Sequence, residues 1–545
     1  MNRKQDHLLS TSNFVKFFFY ILPFTAFFIT LYQLNQQYDG HHHGIIFSIS
    51  EDLLSGKILY KDFFPHYGVS FIFINAFFIK IFSYSIYGTY FLVSLCHGSI
   101  FLIFGMIIRK FFNEKIAVSS MTMLFLIYPA ADMPWPDFLF MSLILISFYI
   151  LIIAKRNYQL LLSGFLYSVA GLTKDNLTIL LFLSIFFLYA SILYLICIRK
   201  KIVHNNFTNI YWIIGYIIPL AIFFLYLNYN SVLFEYFNHF NVGKAAINHF
   251  CSSEIDSFLL RNFDCGWIAL RILFENSITK IFTEPYWLFF LLIIAANLFF
   301  IINTIFFNKE QIINKKKEIL IWISLLSLML FSNTHYLLAV KKLFTGVAIG
   351  MIILIYLIQH LKSPITKYIL HCLLFAFLIN GVQFTRSANN RIYPTFSEKH
   401  DNYSNNIKFL KFKKLSTQDW KQLNEFEYFT KSVTNNCSSI NYSTSLTNDV
   451  FYRIILKQNF KLLNFIPFAP RNDFISALFN KFDKNFFQNL EKEIDNNNII
   501  IAIDNISEIN INLKNDKKLY LAKSIKYNGY GTKFINIYLP KNCII

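Results

Sequence analysis

The sequence predicts a mainly α-helical, polytopic membrane protein with about eleven transmembrane helices and a small C-terminal α/β domain. Three observations predict this fold class. The 545 residues are 55% hydrophobic and only 15% charged, with a mean hydropathy of +0.44, which is far more apolar than a soluble protein of this size. Many of the apolar runs are long enough to cross a bilayer. A polar, Asn- and Lys-rich stretch, residues 386–545, follows the last of these runs.

The first apolar run, residues 14–34, has about the ~20 residues that a transmembrane helix needs. No small-residue cleavage site follows it, so we expect a membrane helix and not a signal peptide. Arg3 and Lys4 precede it, which predicts a cytoplasmic N-terminus and an outer location for the next loop. The following run, residues 69–82, is short for a span, and we expect an interfacial or re-entrant helix there.

Later apolar runs predict spans near residues 86–108, 115–129, 137–154, 159–173, 176–198, 208–228, 286–307, 318–334, 343–361 and 367–385. With this topology the cytoplasmic loops contain fourteen Lys and Arg residues, whereas the short outer connections contain only Lys174, Lys341 and Lys342. This asymmetry agrees with the positive-inside rule, and a crossing segment at 69–82 would invert it.

The net charge of +19 does not indicate a nucleic-acid partner, because the basic residues recur in short clusters between apolar runs. Clusters of this kind orient helices in a membrane. The sequence therefore predicts the lipid bilayer as a partner and excludes nucleic acid.

Two domains are predicted from composition. Residues 1–385 form the transmembrane domain, with a first outer loop at 35–85 and a second large outer loop at 229–285. Residues 386–545 form an extracytoplasmic α/β domain, in which NNIIIAIDN, KKLYLAKSIKY and TKFINIYLP alternate like strands and residues 473–489 have helical spacing.

Two cysteine pairs lie on the predicted outer side. Cys251 and Cys265 share the second outer loop, and Cys437 and Cys543 share the C-terminal domain. An oxidising compartment permits disulfides, but the spacing alone establishes neither bond.

The first outer loop groups several ionisable residues next to a long apolar run. Between Tyr38 and Gly68 the chain contains Asp39, His41, His42, His43, Glu51, Asp52, Asp62 and His66. Ionisable groups at a membrane boundary cost solvation free energy and are typical of functional sites. We therefore expect the active site in this loop.

Motifs in this loop recur with others in a defined order. An acidic residue follows the first span, and a G-x-x-x-Y-x-D-F-x-P-x-Y-G run covers residues 56–68. Pro129 ends the third span and Asp137 opens the next, in PWPDFLF. A G-x-x-x-x-x-A-G-L-T-K segment ends at Lys174, and an H-Y-L-L motif begins at His335. Together these motifs resemble the GT-C-fold glycosyltransferases, in the branch that includes protein O-mannosyltransferases and the lipid A aminoarabinose transferase.

This resemblance implies transfer of a sugar from a polyprenyl-phosphate donor to an acceptor hydroxyl at the outer face of a bacterial inner membrane. The acceptor is a glycan, a lipid or a protein, and neither it nor the donor sugar follows from the sequence. An attacking hydroxyl must lose its proton, so one carboxylate can act as general base in a single displacement. The leaving phosphate needs cationic or hydrogen-bonding partners.

The resemblance assigns three residues first. Asp39 is the predicted general base, because the family places its catalytic acidic residue at the mouth of the first span; the alternative is a cap of the following helix. Asp137 matches the second acidic position and either orients the site or caps its own helix. Lys174 either pairs with the donor phosphate or extends its ammonium group to the membrane interface.

The further candidates for binding substrate or donor phosphate are Lys61, His66, His335, Tyr336, His41 and His43. Three adjacent histidines cannot all face one metal ion without an irregular backbone. A divalent site in which His41 or His43 joins Asp39 and Glu51 or Asp52 is the alternative. The family implies no metal, so we predict no cofactor. If Glu51 and Asp52 bind no metal, we expect them on the solvated face of an amphipathic helix.

Two other functions compete with a transferase. A transporter or flippase of lipid-linked sugars carries ionisable residues near the bilayer midplane and often has internal repeats. Here the charges concentrate at the outer boundary and no repeat is evident. A non-catalytic subunit of envelope assembly with the same fold is the second alternative.

Overall fold

A computed structural model shows a mainly helical chain with short strands near its C-terminus. The structure describes residues 2–36, 40, 42–63, 67–128, 130–131, 133–174, 184–191, 210–237, 271–279, 286–307, 315–332, 340–384, 402–403, 407–437, 441–444, 450–459, 461–465, 495, 499–504, 517–529 and 532–543.

The named helices before residue 385 are α1 (Asn2–Gln36), α2 (His42–Leu54), α3 (Val69–Ile81), α4 (Tyr87–Phe111), α5 (Glu114–Ile127), α6 (Pro136–Ile153), α7 (Asn157–Gly171), α8 (Ile210–Tyr229), α9 (Tyr286–Ile302), α10 (Lys315–Ser332), α11 (Val340–Gln359) and α12 (Pro364–Phe384). A helix therefore lies at each predicted span that the structure describes; most of the span predicted at 176–198 falls outside the described residues. The short apolar run predicted at residues 69–82 is α3, with 13 residues.

Five helices of the described part are long and apolar enough to cross a membrane: Asn13–Gln36, Tyr87–Phe111, Pro136–Ile153, Ile210–Tyr229 and Trp287–Phe306. The protein is an integral membrane protein. Some of the other helices are shorter: α5 has 14 residues, or about 21 Å at 1.5 Å per residue, against a hydrocarbon core of about 30 Å. The predicted number of eleven spans therefore stays a prediction.

The outer surface of α1 is suited to lipid. Phe14, Phe17, Phe24 and Phe28 are each 59–64% exposed, and together they form an apolar face along the helix. Such a face has no favourable contact in water, whereas lipid chains solvate it.

Helices α6 and α7 form an antiparallel hairpin that positions the site. The connection between them is only residues 154–156, so the beginning of α6 and the end of α7 lie at the same end of the bundle. The Ser147 and Ser163 side chains join the two helices, each donating to the other residue's carbonyl at 2.8 and 2.9 Å. Gly164 lets α8 approach closely, because a Cβ there would overlap the carbonyl oxygen of Trp212.

Near the C-terminus, five strands form a mixed sheet in the order β4-β3-β5-β7-β6. In the described part of the chain the strands are β1 (Asn402–Tyr403), β2 (Lys414–Leu415), β3 (Asn441–Thr444), β4 (Lys461–Phe465), β5 (Ile499–Asp504), β6 (Leu519–Gly529) and β7 (Thr532–Pro540), and helices α13 (Thr417–Asn436) and α14 (Val450–Asn459) accompany them. Strands β5, β6 and β7 confirm the three predicted from alternation. The helix predicted at 473–489 lies outside the described residues, and the domain boundary at 385 stays a prediction.

A disulfide joins Cys437, just after α13, to Cys543, just after β7, with a Cα–Cα distance of 5.7 Å. The spacing of the cysteines alone did not establish whether this bond forms. The other candidate pair, Cys251 and Cys265, lies outside the described residues.

Replacing both Cys437 and Cys543 with serine is expected to destabilise the C-terminal segment by about 4 kcal/mol, because the bond closes a loop of 106 residues and restricts the unfolded chain. Chemical denaturation of the purified protein checks this value. Cys372→Ser is the control, since that cysteine is free and exposed; an equal loss in this control would contradict the prediction.

Candidate active site

Asp137 and Lys174 form an ion pair at one end of the α6–α7 hairpin. The Lys174 Nζ donates to Asp137 Oδ1 at 2.6 Å, and the two side chains are 19% and 9% exposed. Asp137 lies in the first turn of α6, where the helix dipole favours a negative charge. Lys174 lies in the turn after α7. In this turn the Leu172 N–H donates to Ser168 O, and the Lys174 N–H donates to Gly171 O. The structure thus brings two sequence-predicted site residues together.

The Y-G end of the loop motif, at residues 67–68, packs directly on the turn that carries Lys174. The Gly68 N–H donates to Thr173 O at 2.9 Å, and the Ser70 N–H donates to Leu172 O at 3.0 Å. A Cβ at Gly68 would overlap the backbone of Leu172, Thr173 and Lys174. Only glycine permits this approach. The Y-G end of the loop motif and the A-G-L-T-K motif are therefore in direct backbone contact.

Gly68→Ala is expected to displace the Lys174 turn and to destabilise the protein by about 2 kcal/mol, the usual cost of overpacking a close contact. Thermal unfolding in detergent measures the effect. Ser70→Ala is the matched control because it keeps the backbone bond to Leu172, and a similar loss in both variants would show that the glycine is not special.

Trp135 joins the loop to the start of α6. It is the residue before Pro136, the first residue of the helix, and its ring lies 6.1 Å from the Tyr67 ring and 5.1 Å from the His42 ring, both edge to face. The start of α2, the end of the first loop and the start of α6 therefore meet near Asp137. Trp135 lies two residues before Asp137 in PWPDFLF, and this spacing was the sequence signal from which its position could have been predicted.

His43 points in a different direction from His42. It is fully buried, and its Nδ1 lies 2.9 Å from the Tyr90 hydroxyl of α4. The two neighbouring histidines thus contact different helices, since successive helical residues point about 100° apart. The assignment of His43 to substrate binding stays a prediction.

Lys61 lies on an exposed turn of the first loop. Asp62 stabilises this turn by accepting the Ile58 N–H at 2.7 Å. Tyr60, with a positive φ of 67°, is buried against Phe223 of α8. Within the motif, Tyr60 and Asp62 therefore shape the turn, and the ammonium group of Lys61 is accessible to a ligand.

Asp52 departs from its expected position. It is on helix α2, as predicted, but it is 2% exposed and accepts a hydrogen bond from Lys57 Nζ at 2.9 Å. The expectation of a solvated face was wrong for this residue because α2 is covered: nine of its thirteen residues are buried, and Phe47 packs against Phe409 of the C-terminal segment.

Several candidates fall on residues that the structure leaves out. Asp39, His41, His66, His335 and Tyr336 lie outside the described residues, so their roles stay predictions. Within the described part, no three His, Cys, Asp or Glu side chains gather as metal ligands do; the alternative divalent site depends on Asp39 and is not tested.

Lys413 is a buried cation that sequence reasoning missed. It is 0% exposed and donates from Nζ to the carbonyl oxygens of Leu34 and Asn35, at 3.2 and 2.5 Å. Burial lowers the pKa of Lys413 well below its usual range, and the Asp419 carboxylate opposes that shift. In the basic stretch KFLKFKKL nothing local distinguishes this lysine from its neighbours, because its burial depends on docking against α1.

Comparison with known proteins gives a result at the level of the fold. No protein-family model matches the sequence, and no curated protein matches it significantly. Among solved structures, the chain is similar to ArnT from Cupriavidus metallidurans bound to undecaprenyl phosphate, with a TM-score of 0.53 and 9% identity over 95% of this chain and 97% of that one. The apo state of the same protein gives a TM-score of 0.51 and 9% identity, over 97% and 98%.

Identity this low establishes the fold alone. ArnT is the lipid A aminoarabinose transferase and has the GT-C fold, and the similarity extends over nearly the whole of both chains. The motif resemblance is therefore confirmed as a structural one: this chain has the GT-C fold.

Proposed function

We propose that the protein is a glycosyltransferase that moves a sugar from a polyprenyl-phosphate donor to an acceptor hydroxyl at the outer membrane face. The observation that carries the proposal is the contact between Asp137 and Lys174. Both residues were selected from motifs 37 positions apart, and they meet beside the loop that contains the predicted base. Similarity of fold is weaker support for this function, since one fold hosts many functions.

The chemistry of this pair suits a phosphate leaving group. The Lys174 ammonium is 19% exposed and held by Asp137, so its orientation is set before a ligand arrives. The first turn of α6 adds the positive end of a helix dipole nearby. That ArnT binds undecaprenyl phosphate supports a donor of the same class here.

The reaction is a single displacement. As the acceptor oxygen attacks the anomeric carbon, the Asp39 carboxylate takes the hydroxyl proton. The bond between the anomeric carbon and the phosphate oxygen breaks, and polyprenyl phosphate leaves with the electron pair. Lys174 stabilises the charge that grows on this phosphate, and Asp137 orients Lys174. No general acid is needed because the leaving group is already a phosphate.

Two features support an outer site. The disulfide between Cys437 and Cys543 is typical of an oxidising compartment. The Lys and Arg residues concentrate in alternate short loops, which favours a cytoplasmic location for those loops and for the N-terminus. The first loop then lies on the outer side.

Mass spectrometry of envelope glycans and glycolipids, from cells with and without the gene, tests the proposal. Loss of the gene is expected to remove one sugar residue from one acceptor class and to accumulate its polyprenyl-phosphate donor. The purified protein in detergent should then transfer that sugar to the acceptor. A flippase moves lipids between leaflets and forms no glycosidic bond, so product formed in detergent would exclude a flippase. Absence of product in detergent would contradict the transferase.

A further inference from the structure

Residues 407–414 dock on the connection between α3 and α4. The Ile86 N–H donates to Phe409 O at 2.9 Å, and the buried Ser85 hydroxyl donates to Lys411 O. The Phe409 side chain is fully buried, so one side of the segment is fixed inside the protein. The side chains on its other side are therefore held at the surface, at the end of the bundle where α4 begins.

Three lysines recur at every third residue of this segment, and each has an aromatic ring beside it. The distance from the lysine Nζ to the ring centre is 4.7, 5.0 and 5.8 Å in the pairs Lys408–Tyr84, Lys411–Phe412 and Lys414–Tyr403. The three rings are 40–47% exposed, and the lysines are exposed or partly exposed. We call these six side chains the basic aromatic patch.

Strained backbone carries two of these rings. Tyr84 has a φ of 61° and follows Ser83, with a φ of 59°, and Phe412 has a φ of 69°. Few residues other than glycine adopt this left-handed region, because the Cβ crowds the backbone. The folded chain therefore retains a costly conformation at two points where it exposes an aromatic ring.

The exposed apolar face of α3 leads directly to the patch. Phe73, Phe77 and Ile81 are 44–59% exposed and are spaced four residues apart, so they lie on one face of the helix. Lipid chains solvate such a face better than water does. Helix α3 has 13 residues, about 20 Å at 1.5 Å per residue, which is too short to cross a hydrocarbon core of about 30 Å. Because the patch lies at the end of α3, lipid chains along this helix would bring their headgroups beside it.

No negative side chain belongs to α3, to its connection with α4 or to the lysine-bearing segment. Residues 69–112 and 407–418 contain no Asp or Glu. The next acidic residue, Asp419, accepts a hydrogen bond from Ser416 just before α13. Lysine clusters near a membrane surface attract anionic lipid headgroups, and aromatic residues are enriched at the same level of the bilayer.

We propose that the basic aromatic patch binds the headgroups of anionic phospholipids, in the leaflet at which α4 begins. The lysines pair with the headgroup phosphates, and the rings lie between the headgroups and the acyl chains. The polar stretch after the last apolar run is thereby attached to the membrane surface at residues 408–414. This binding is independent of sugar transfer, since none of the six residues belongs to the candidate active site.

The triple variant Lys408→Gln, Lys411→Gln and Lys414→Gln tests this surface in the full-length protein. In detergent, added phosphatidylglycerol should raise the thermal midpoint of the wild type more than phosphatidylcholine does, and salt should weaken the effect. In the triple variant, the phosphatidylglycerol concentration that gives half the effect should rise by at least about tenfold. The control replaces three other exposed lysines with glutamine and should respond as the wild type does: Lys517, Lys526 and Lys541.

Hydrogen exchange locates the contact on the chain. In nanodiscs, the amides of residues 408–414 should exchange several-fold more slowly with phosphatidylglycerol than with phosphatidylcholine, and the triple variant should lose this difference. If the triple variant does not fold, Lys411→Gln alone should lose part of the difference, because Lys411 is exposed.

Equal responses of the two triple variants to phosphatidylglycerol would overturn the inference. Equal exchange of residues 408–414 in the two lipids would also overturn it. Stabilisation of the wild type by soluble glycerol phosphate, to the same extent as by phosphatidylglycerol, would indicate a general anion site and would contradict a lipid surface.

Discussion

Asp39→Asn is expected to lower sugar transfer by about two to four orders of magnitude, the usual contribution of a general base. Asparagine has nearly the same shape as aspartate, but its amide cannot accept the proton of the acceptor hydroxyl. The variant should therefore insert and fold normally. The measurement is the amount of sugar-bearing product, found by mass spectrometry and divided by the amount of folded protein in the membrane.

Asp62→Asn is the matched control in the same loop. Asp62 is exposed and accepts the Ile58 N–H through Oδ2 at 2.7 Å, a bond that the side-chain oxygen of asparagine also makes. Transfer should stay within threefold of the wild type. Equal losses in the two variants would show that the loop needs its negative charge in general and not a base at Asp39.

Lys174→Met is expected to abolish the stabilisation given by added undecaprenyl phosphate and to lower transfer by about a hundredfold. The reason is that the growing phosphate charge loses its cationic partner, a change typically worth about 3 kcal/mol in the transition state. Thermal unfolding with and without the lipid phosphate measures binding, and product mass measures transfer.

A double-mutant cycle with Asp137 separates stability from function. Asp137→Leu leaves the part-buried Lys174 ammonium without this carboxylate, which should destabilise the protein by about 2 kcal/mol, given that Lys174 keeps some solvent contact. Combining both substitutions should recover much of that stability but none of the transfer. The exposed pair Lys523–Glu425 is the control, where Lys523→Met should cost less than about 1 kcal/mol. Recovery of transfer in the double variant would contradict a phosphate role for Lys174.

Much of the helical framework could be predicted from hydrophobic run length. The predicted span at 137–154 and α6 (Pro136–Ile153) differ by one residue at each end, because Pro136 starts the helix and a polar turn ends it. The number of crossings could not be derived in this way. A helix such as α5 is shorter than the hydrocarbon core, so its relation to the membrane depends on its neighbours and not on its own sequence.

Two candidate site residues could be selected from the sequence, but their contact with each other could not be predicted from it. Asp137 and Lys174 were identified from separate motifs, and their ion pair follows from the antiparallel packing of α6 and α7, which no local pattern encodes. The burial of α2 could not be foreseen from its own pattern, because part of what covers it, Phe409 against Phe47, lies more than 350 residues later. Lys413 gave no signal for the same reason.

The hydrogen bonds from Lys413 to the last turn of α1 have a consequence for biogenesis. Leu34 and Asn35 emerge early from the ribosome, whereas their partner is 379 and 378 positions downstream. Chains are synthesised from the N-terminus at about 5–20 residues per second, so the newborn first helix waits tens of seconds with an uncapped end. A chain truncated before Lys413 lacks both bonds, so this contact between α1 and the later part of the chain forms only after residue 413 has been synthesised.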